Sequence, residues 1–128
     1  MDLFDLEQEN ALNEVRILAS ISDPHIIGYK ETFYDDEEKC LCIVMEYADG
    51  GDLLKKIQKY KRLGEYLPEP LIWKYFTHML KGLQTLHKMN ILHRDIKCAN
   101  IFLNANGELA QLGDLNVSKV LKTHLART

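Results

Sequence analysis

Four polar side chains in the C-terminal half of the chain have the types that phosphoryl transfer needs. Asp95, Lys97 and Asn100 lie within six positions between two apolar segments, and Asp114 follows the next apolar segment. Phosphoryl transfer requires a carboxylate that orients the attacking hydroxyl, a cation near the phosphate and oxygen ligands for magnesium. Because magnesium keeps several of its waters, one carboxylate and one amide oxygen are enough to bind it. The four residues together therefore predict phosphoryl-transfer chemistry.

Each of these residues alone has a commoner interpretation. A single histidine such as His93 is usually a hydrogen-bonded core residue, Asp114 after a glycine is typical of a turn, and Asn100 is typical of a loop cap. The spacing of the whole group, and not any single member, carries the functional prediction.

The run from His93 to Asn100 resembles the catalytic loop of eukaryotic protein kinases, which is written H-R-D-x-K-x-x-N. The resemblance implies that Asp95 accepts or orients the substrate hydroxyl proton and that Lys97 lies by the γ-phosphate. Asn100 and Asp114 would hold Mg²⁺. His93 and Arg94 would brace the loop.

The same resemblance extends over most of the chain and implies an ATP site. Glu14 corresponds to the glutamate of the regulatory helix, which in the family pairs with a strand lysine. Lys97, Asn100 and Asp114 are expected to contact the nucleotide as well as to take part in catalysis. The other expected nucleotide contacts are Met45 at the back of the adenine pocket, Glu46 and Ala48 in the hinge, Asp52 toward the ribose, and Phe102 under the adenine.

Three segments are similar to the NIMA-related kinases: 13–18, 43–47 and 91–103. With lysine at position 97, the resemblance implies a serine/threonine protein kinase that uses ATP and Mg²⁺ on protein substrates. It further implies a cytoplasmic location, with cytoskeletal or ciliary targets. A small-molecule phosphotransferase shares part of this residue set, but Arg94 and Lys97 favour a protein kinase.

Two departures from the family pattern limit what these residues are expected to do alone. The family triplet D-F-G is replaced by Asp114-Leu115-Asn116, and neither G-x-G-x-x-G nor V-A-I-K occurs. We expect a partial kinase domain, from the regulatory helix to just after the magnesium aspartate. Such a fragment is not expected to be competent alone, and its exposed apolar surface would be covered by other kinase-domain portions or a partner. The alternative is a non-catalytic kinase remnant that serves as a binding or regulatory module.

The composition is that of a soluble globular protein and excludes several other classes. The chain has 46% hydrophobic and 27% charged residues and a net charge of −3, so neither nucleic acid nor a membrane is expected as a partner. The acidic N-terminus does not resemble a signal peptide. Three cysteines favour a reducing compartment. Cys40 and Cys42 are predicted to lie on one face of a strand and to be buried.

The periodicity predicts an α+β fold, the start of a protein-kinase-like architecture. A helix is predicted at 8–21, and β-branched and aromatic residues predict strands at 26–33 and 41–47 around an acidic turn. Asp52 is expected to cap a short helix to about Tyr60, and a longer helix follows Pro68. Asn106-Gly107 predicts a tight hairpin in which both turn residues have positive φ. The domain is divided into a small-lobe part (1–47), a hinge (48–52) and a large-lobe part (53–128).

Overall fold

The computed structural model describes residues 9, 15, 16, 19–93 and 95–113. These residues form two compact units. The first contains the described residues up to 22 together with 28–46. The second contains 23–27, 47–93 and 95–113. In the described part of the chain, no helix is long and apolar enough to cross a membrane. The boundaries 1–47, 48–52 and 53–128 remain a prediction.

The first unit is built on an antiparallel hairpin. Strand β1 (Tyr29–Asp35) pairs with β2 (Cys40–Met45), and Tyr34 lies opposite Leu41. Asp35 Oδ1 accepts hydrogen bonds from the backbone N–H groups of Glu37 and Glu38, at 2.9 and 3.2 Å, which closes the acidic turn. Both predicted strands and their turn are confirmed, but β1 begins at Tyr29 and not at residue 26.

The cysteine prediction is half right. Cys40 and Cys42 lie on one face of β2 with their Sγ atoms 3.8 Å apart, as the strand period requires. Cys40 is exposed, however, so the prediction that both are buried is wrong. The neighbouring Cys40 sulfur, followed by slight desolvation, raises the pKa of the Cys42 thiol.

The predicted helix at 8–21 falls mostly outside the described residues. Glu9, Val15, Arg16 and Ala19 are helical, and Val15 is fully buried.

Two helices of the second unit follow the predicted pattern. Helix α1 (Leu53–Arg62) begins after Asp52, whose Oδ1 accepts a hydrogen bond from Lys55 N at 2.8 Å. Helix α2 (Glu69–Lys88) begins with a proline in its first turn and runs for 20 residues. Both the cap and the long helix are confirmed.

A short second hairpin contributes much of the core. Strands β3 (Ile101–Leu103) and β4 (Ala110–Leu112) pair antiparallel, and four of their six side chains are at most 1% exposed. The predicted hairpin is confirmed, but positive φ at both turn residues is wrong, because in the loop 104–109 only Gly107 has positive φ. Asn104 Oδ1 and Asn106 Oδ1 instead accept hydrogen bonds from Leu109 N and Glu108 N, each at 2.9 Å.

Two flanking segments extend this hairpin on both edges. On the β3 edge, Gly50 N donates to Leu103 O and Leu103 N donates to Gly51 O, both at 2.8 Å. On the β4 edge, Leu112 N donates to His25 O and Ile27 N donates to Leu112 O, also at 2.8 Å. The pairing with β4 explains why the first strand does not start at residue 26. The observed mixture of helices and antiparallel strand pairs confirms the α+β class.

Candidate active site

The segment after helix α2 is held by a closed ring of hydrogen bonds. Asp95 N donates to His93 Nδ1 (3.2 Å), and His93 Nε2 donates to Gly113 O (2.9 Å). Gly113 N donates to Asn100 O (2.9 Å), and Asn100 Nδ2 donates to Asp95 O (2.9 Å). The ring therefore joins the predicted catalytic loop to the end of β4.

The closed ring of hydrogen bonds also fixes the tautomer of the His93 imidazole. A backbone N–H can only donate and a carbonyl oxygen can only accept, so Nδ1 must be the bare nitrogen and Nε2 must carry the hydrogen. The imidazole is only 2% exposed, so losing either bond would leave a buried polar group unpaired. His93 acts as a brace, which is the role that the family resemblance implies.

Asp95, Lys97 and Asn100 converge at one place. Asn100 Nδ2 lies 3.1 Å and Lys97 Nζ 3.6 Å from the same carboxylate oxygen, Asp95 Oδ2. The side chain of Asp95 is 29% exposed, whereas that of Lys97 is 59% exposed. The carboxylate is thus fixed by a nearly buried amide, while the lysine ammonium is held only by a solvated ion pair that contributes little. Such a lysine can move without disturbing the fold.

The predicted catalytic loop is positioned by the short hairpin. A single 3₁₀ turn (Cys98–Asn100) leads directly into β3, and Asn100 is only 6% exposed. Ile101 and Leu103 anchor the strand in the core. A Cβ atom on Gly113 would come within 2.4 Å of the Phe102 ring, so glycine is required where the ring packs against the backbone. Gly113 was not predicted as a site residue, although its place directly before Asp114 was a signal.

Several predicted nucleotide contacts also lie in the second unit. Asp52 forms an isolated antiparallel bridge with Phe102, which places two predicted contacts side by side. The Asp52 carboxylate is also the cap of α1, so part of its hydrogen-bonding capacity is used in the fold. Ala48 is half-buried in the same unit.

The other two described nucleotide contacts lie in the first unit. Met45 ends β2 and is 45% exposed. Glu46 N donates to Gly28 O at 2.7 Å, and Gly28 N donates to Glu46 Oε2 at 3.3 Å. The backbone carbonyl of Glu46 is therefore the group that remains for an adenine contact.

Two predicted site residues, Glu14 and Asp114, lie outside the described residues, as does Arg94. Among the residues that the structure describes, no group of three His, Cys, Asp or Glu side chains could hold a metal ion. The predicted magnesium pair, Asn100 with Asp114, does not require such a group. Asn100 donates through Nδ2, so its amide oxygen is the atom suited to a hard cation.

A comparison with known protein families identifies the chain. The protein kinase domain family matches residues 3–128. The chain belongs to the protein kinase family. The segment from His93 to Asn100, predicted to be the catalytic loop, lies within this matched range.

Several curated kinases are similar to this kinase chain. It is 42% identical over 126 residues to the serine/threonine-protein kinase Nek1 of Mus musculus, covering 97% of this chain and 10% of the relative. It is 41% identical over 124 residues to Nek5 of Homo sapiens (95% and 17%) and 39% identical over 126 residues to nekl-2 of Caenorhabditis elegans (94% and 35%). The kinase chain thus spans about a tenth to a third of the length of these relatives. The predicted similarity to NIMA-related kinases is confirmed.

Proposed function

We propose that this chain carries the catalytic loop of a serine/threonine protein kinase that transfers the γ-phosphoryl group of ATP to protein hydroxyls. The observation that supports the proposal is the ring of hydrogen bonds that fixes Asp95 beside Lys97 and Asn100. Serine/threonine kinases are also the relatives that the chain resembles. Magnesium, when bound with ATP, would neutralise charge on the phosphates.

Each residue of the loop has one task in this proposal. Asp95 orients the substrate hydroxyl and accepts its proton, because Asn100 holds one carboxylate oxygen in place. Lys97 uses its mobile ammonium to balance charge on the transferred group. Asn100 supplies an amide oxygen and Asp114 a carboxylate to Mg²⁺. Glu14 corresponds in this proposal to the regulatory-helix glutamate that pairs with a strand lysine.

The proposed ATP site uses backbone groups and apolar surfaces more than charges. Glu46 and Ala48 offer backbone groups to adenine, and Met45 and Phe102 offer apolar contacts. Asp52 reaches the ribose with the carboxylate oxygen that does not accept the hydrogen bond from Lys55 N. These roles follow from the family resemblance and from the placement of each residue in its own unit.

The decisive experiment is transfer of labelled γ-phosphate to a generic protein substrate under single-turnover conditions. Asp95→Asn keeps an oxygen for Asn100 but removes the proton acceptor, so we expect a loss of about 10²- to 10⁴-fold. Asp36→Asn, on the exposed acidic turn, is the matched control and should leave the rate unchanged. A wild-type rate above background that Asp95→Asn leaves unchanged would contradict the proposal. The wild-type measurement also tests the expectation that these 128 residues alone are not competent.

Nucleotide binding separates this function from the alternative of a non-catalytic binding module. We expect ATP with magnesium to raise the melting temperature of the chain. Asp114→Ala should abolish this effect of magnesium, whereas Asp95→Asn should preserve it. A stably folded chain whose melting temperature ignores ATP and magnesium would favour the non-catalytic module.

An apolar face of helix α2 bears on the proposed partners. Ile72, Phe76 and Leu80 recur at helical spacing and are each 44–50% exposed. We propose that other kinase-domain residues cover this face. A hydrophobic dye such as ANS should then bind the 128-residue chain strongly and bind Phe76→Ser weakly. Equal dye binding by the two proteins would argue against an open apolar face.

The proposed place of action is the cytoplasm, on cytoskeletal or ciliary proteins. This proposal rests on the similarity to NIMA-related kinases and on the free state of all three cysteines. Imaging of a fluorescent fusion tests it, and accumulation in the secretory pathway would contradict it.

A further inference from the structure

A concave groove of about 470 Å³ lies between helix α1 and the β3–β4 loop. One wall is the helix from Asp52 to Arg62, and the other is the loop from Leu103 to Gly107. Gly50 and Gly51 also line the groove. None of Asp95, Lys97 and Asn100 lines it, so the groove is not part of the catalytic loop.

The helical wall carries an unusual concentration of positive charge. Lys55, Lys59 and Arg62 follow one another at i, i+4 and i+7, which places them on one face of α1 over about 10 Å. Helix α1 contains no acidic residue, although the whole chain has a net charge of −3. The carboxylate of Asp52 is the only one among the lining residues, and its Oδ1 accepts the cap hydrogen bond from Lys55 N.

A fourth cation, Lys56, is held in place by neutral groups. Its Nζ donates to the hydroxyl of Tyr75 at 3.0 Å, and that hydroxyl donates to Gly107 O at 2.7 Å. Tyr75 is only 2% exposed, so this contact joins both walls of the groove to helix α2. The contact therefore ties the two walls together. Among the lining residues, the one ion pair is that of Lys55 Nζ with Asp52 Oδ2, at 4.0 Å, so most of the positive charge of the groove is not neutralised by the side chains that form it.

We propose that this groove binds a short acidic segment of a partner protein in an extended conformation. An extended peptide advances about 3.3 Å per residue, so three or four acidic residues match the 10 Å row of cations. Like charges at i and i+4 destabilise a helix slightly. Binding of the peptide relieves this repulsion. The site requires no phosphoryl transfer, and its test is independent of the proposed kinase activity.

A peptide fits these observations better than a nucleic acid or an anionic membrane. Nucleic-acid affinity grows with the number of phosphates that a surface neutralises, and this groove offers four cations on a chain of net negative charge. A flat bilayer surface does not enter a concave groove. A short acidic peptide needs only the groove itself.

The test is fluorescence anisotropy of a labelled peptide with four consecutive Asp and Glu residues between glycines, titrated with the full 128-residue chain. Lys59→Gln and Lys61→Gln form a matched pair, since both residues are exposed on α1 but only Lys59 lines the groove. We expect Lys59→Gln and Arg62→Gln each to weaken binding about two- to fivefold, and Lys61→Gln to leave it within experimental error. Raising the salt from 50 to 300 mM should also weaken binding, because screening shortens the reach of exposed charges.

Three results would overturn the proposal. One is the absence of binding to the wild-type chain at millimolar concentration. Another is an equal loss of affinity for Lys59→Gln and Lys61→Gln, which would mean non-specific attraction to a basic helix. The third is tighter binding of a single-stranded oligonucleotide or of anionic lipid vesicles than of the acidic peptide.

Discussion

Of the two hairpins in this chain, the one with the longer strands has the less buried side chains. The hairpin β1–β2 has strands of seven and six residues, yet none of its side chains is fully buried. The hairpin β3–β4 has only three residues in each strand, yet Ile101, Leu103, Ala110 and Leu112 are at most 1% exposed. Two strands alone are marginal in water. The short hairpin is stabilised by what packs on it, and it is the one that positions the catalytic loop.

The largest expected effect comes from truncating one leucine in each hairpin. Leu103→Ala removes a fully buried side chain and should lower the free energy of unfolding by about 2–5 kcal/mol. Leu41→Ala makes the same chemical change at a half-buried position of β2 and should cost less than about 1.5 kcal/mol. Urea denaturation of both variants measures the difference. Equal costs would show that the two hairpins are equally well packed.

A smaller effect is expected from adding a methyl group to one glycine beside each hairpin. In Gly113→Ala the new Cβ would meet the Phe102 ring at 2.4 Å, and moving the backbone would strain the hydrogen bonds around His93. We expect a loss of about 1–3 kcal/mol. In Gly28→Ala the nearest atom is the Glu46 carboxyl carbon at 2.9 Å, on an exposed side chain that can swing away.

Gly28→Ala should therefore change stability by less than about 1 kcal/mol. Thermal unfolding of the two alanine variants tests the pair. A larger loss for Gly28→Ala than for Gly113→Ala would reverse the comparison.

The smallest expected effect is a pH dependence of stability that arises where helix α2 contacts the well-packed hairpin β3–β4. His78 on α2 accepts a hydrogen bond from Ala110 N at 3.2 Å and stacks on His25 with ring centroids 4.4 Å apart. Partial burial, followed by the charges of His25, Lys74 and Lys81, lowers the pKa of His78. The unfolded chain then binds a proton at a higher pH than the folded chain does.

Stability should consequently be full above about pH 6.5 and fall as the pH decreases below it. His78→Asn retains an acceptor for Ala110 N but does not titrate. From pH 7.5 to pH 5.5, the melting temperature of wild type should thus fall further than that of His78→Asn. A difference in melting temperature that stays constant with pH would show that His78 does not cause the pH dependence.

Local chemistry explains which features could be predicted from the sequence. Asp52 before a helical stripe and a proline at the start of α2 are signals that lie within a few residues, and both were confirmed. The spacing from His93 to Asn100 likewise pointed to the protein kinase family, which the family match confirmed. These features depend on neighbours in the sequence, so no knowledge of the packing was needed.

The errors have three different causes: a distant strand partner, side-chain hydrogen bonds within a loop, and an exposed strand. Ile26 has the composition of a strand residue, but it pairs with Leu112, which is 86 positions away. Asn106 does not adopt positive φ, because side-chain oxygens in a longer loop bind the backbone instead. Cys40 is apolar by type but lies on an exposed strand. The contact of Tyr75 with Lys56 and Gly107 had no sequence signal, since it joins three separate elements.

The histidine of the catalytic loop can also serve as a spectroscopic reporter. Both ring nitrogens of His93 are occupied, one as acceptor and one as donor. A single tautomer gives two well-separated ¹⁵N ring resonances, whereas a solvated ring averages them. An NMR spectrum of ring-labelled protein would therefore show directly whether the catalytic loop is assembled, even in a sample that transfers no phosphate.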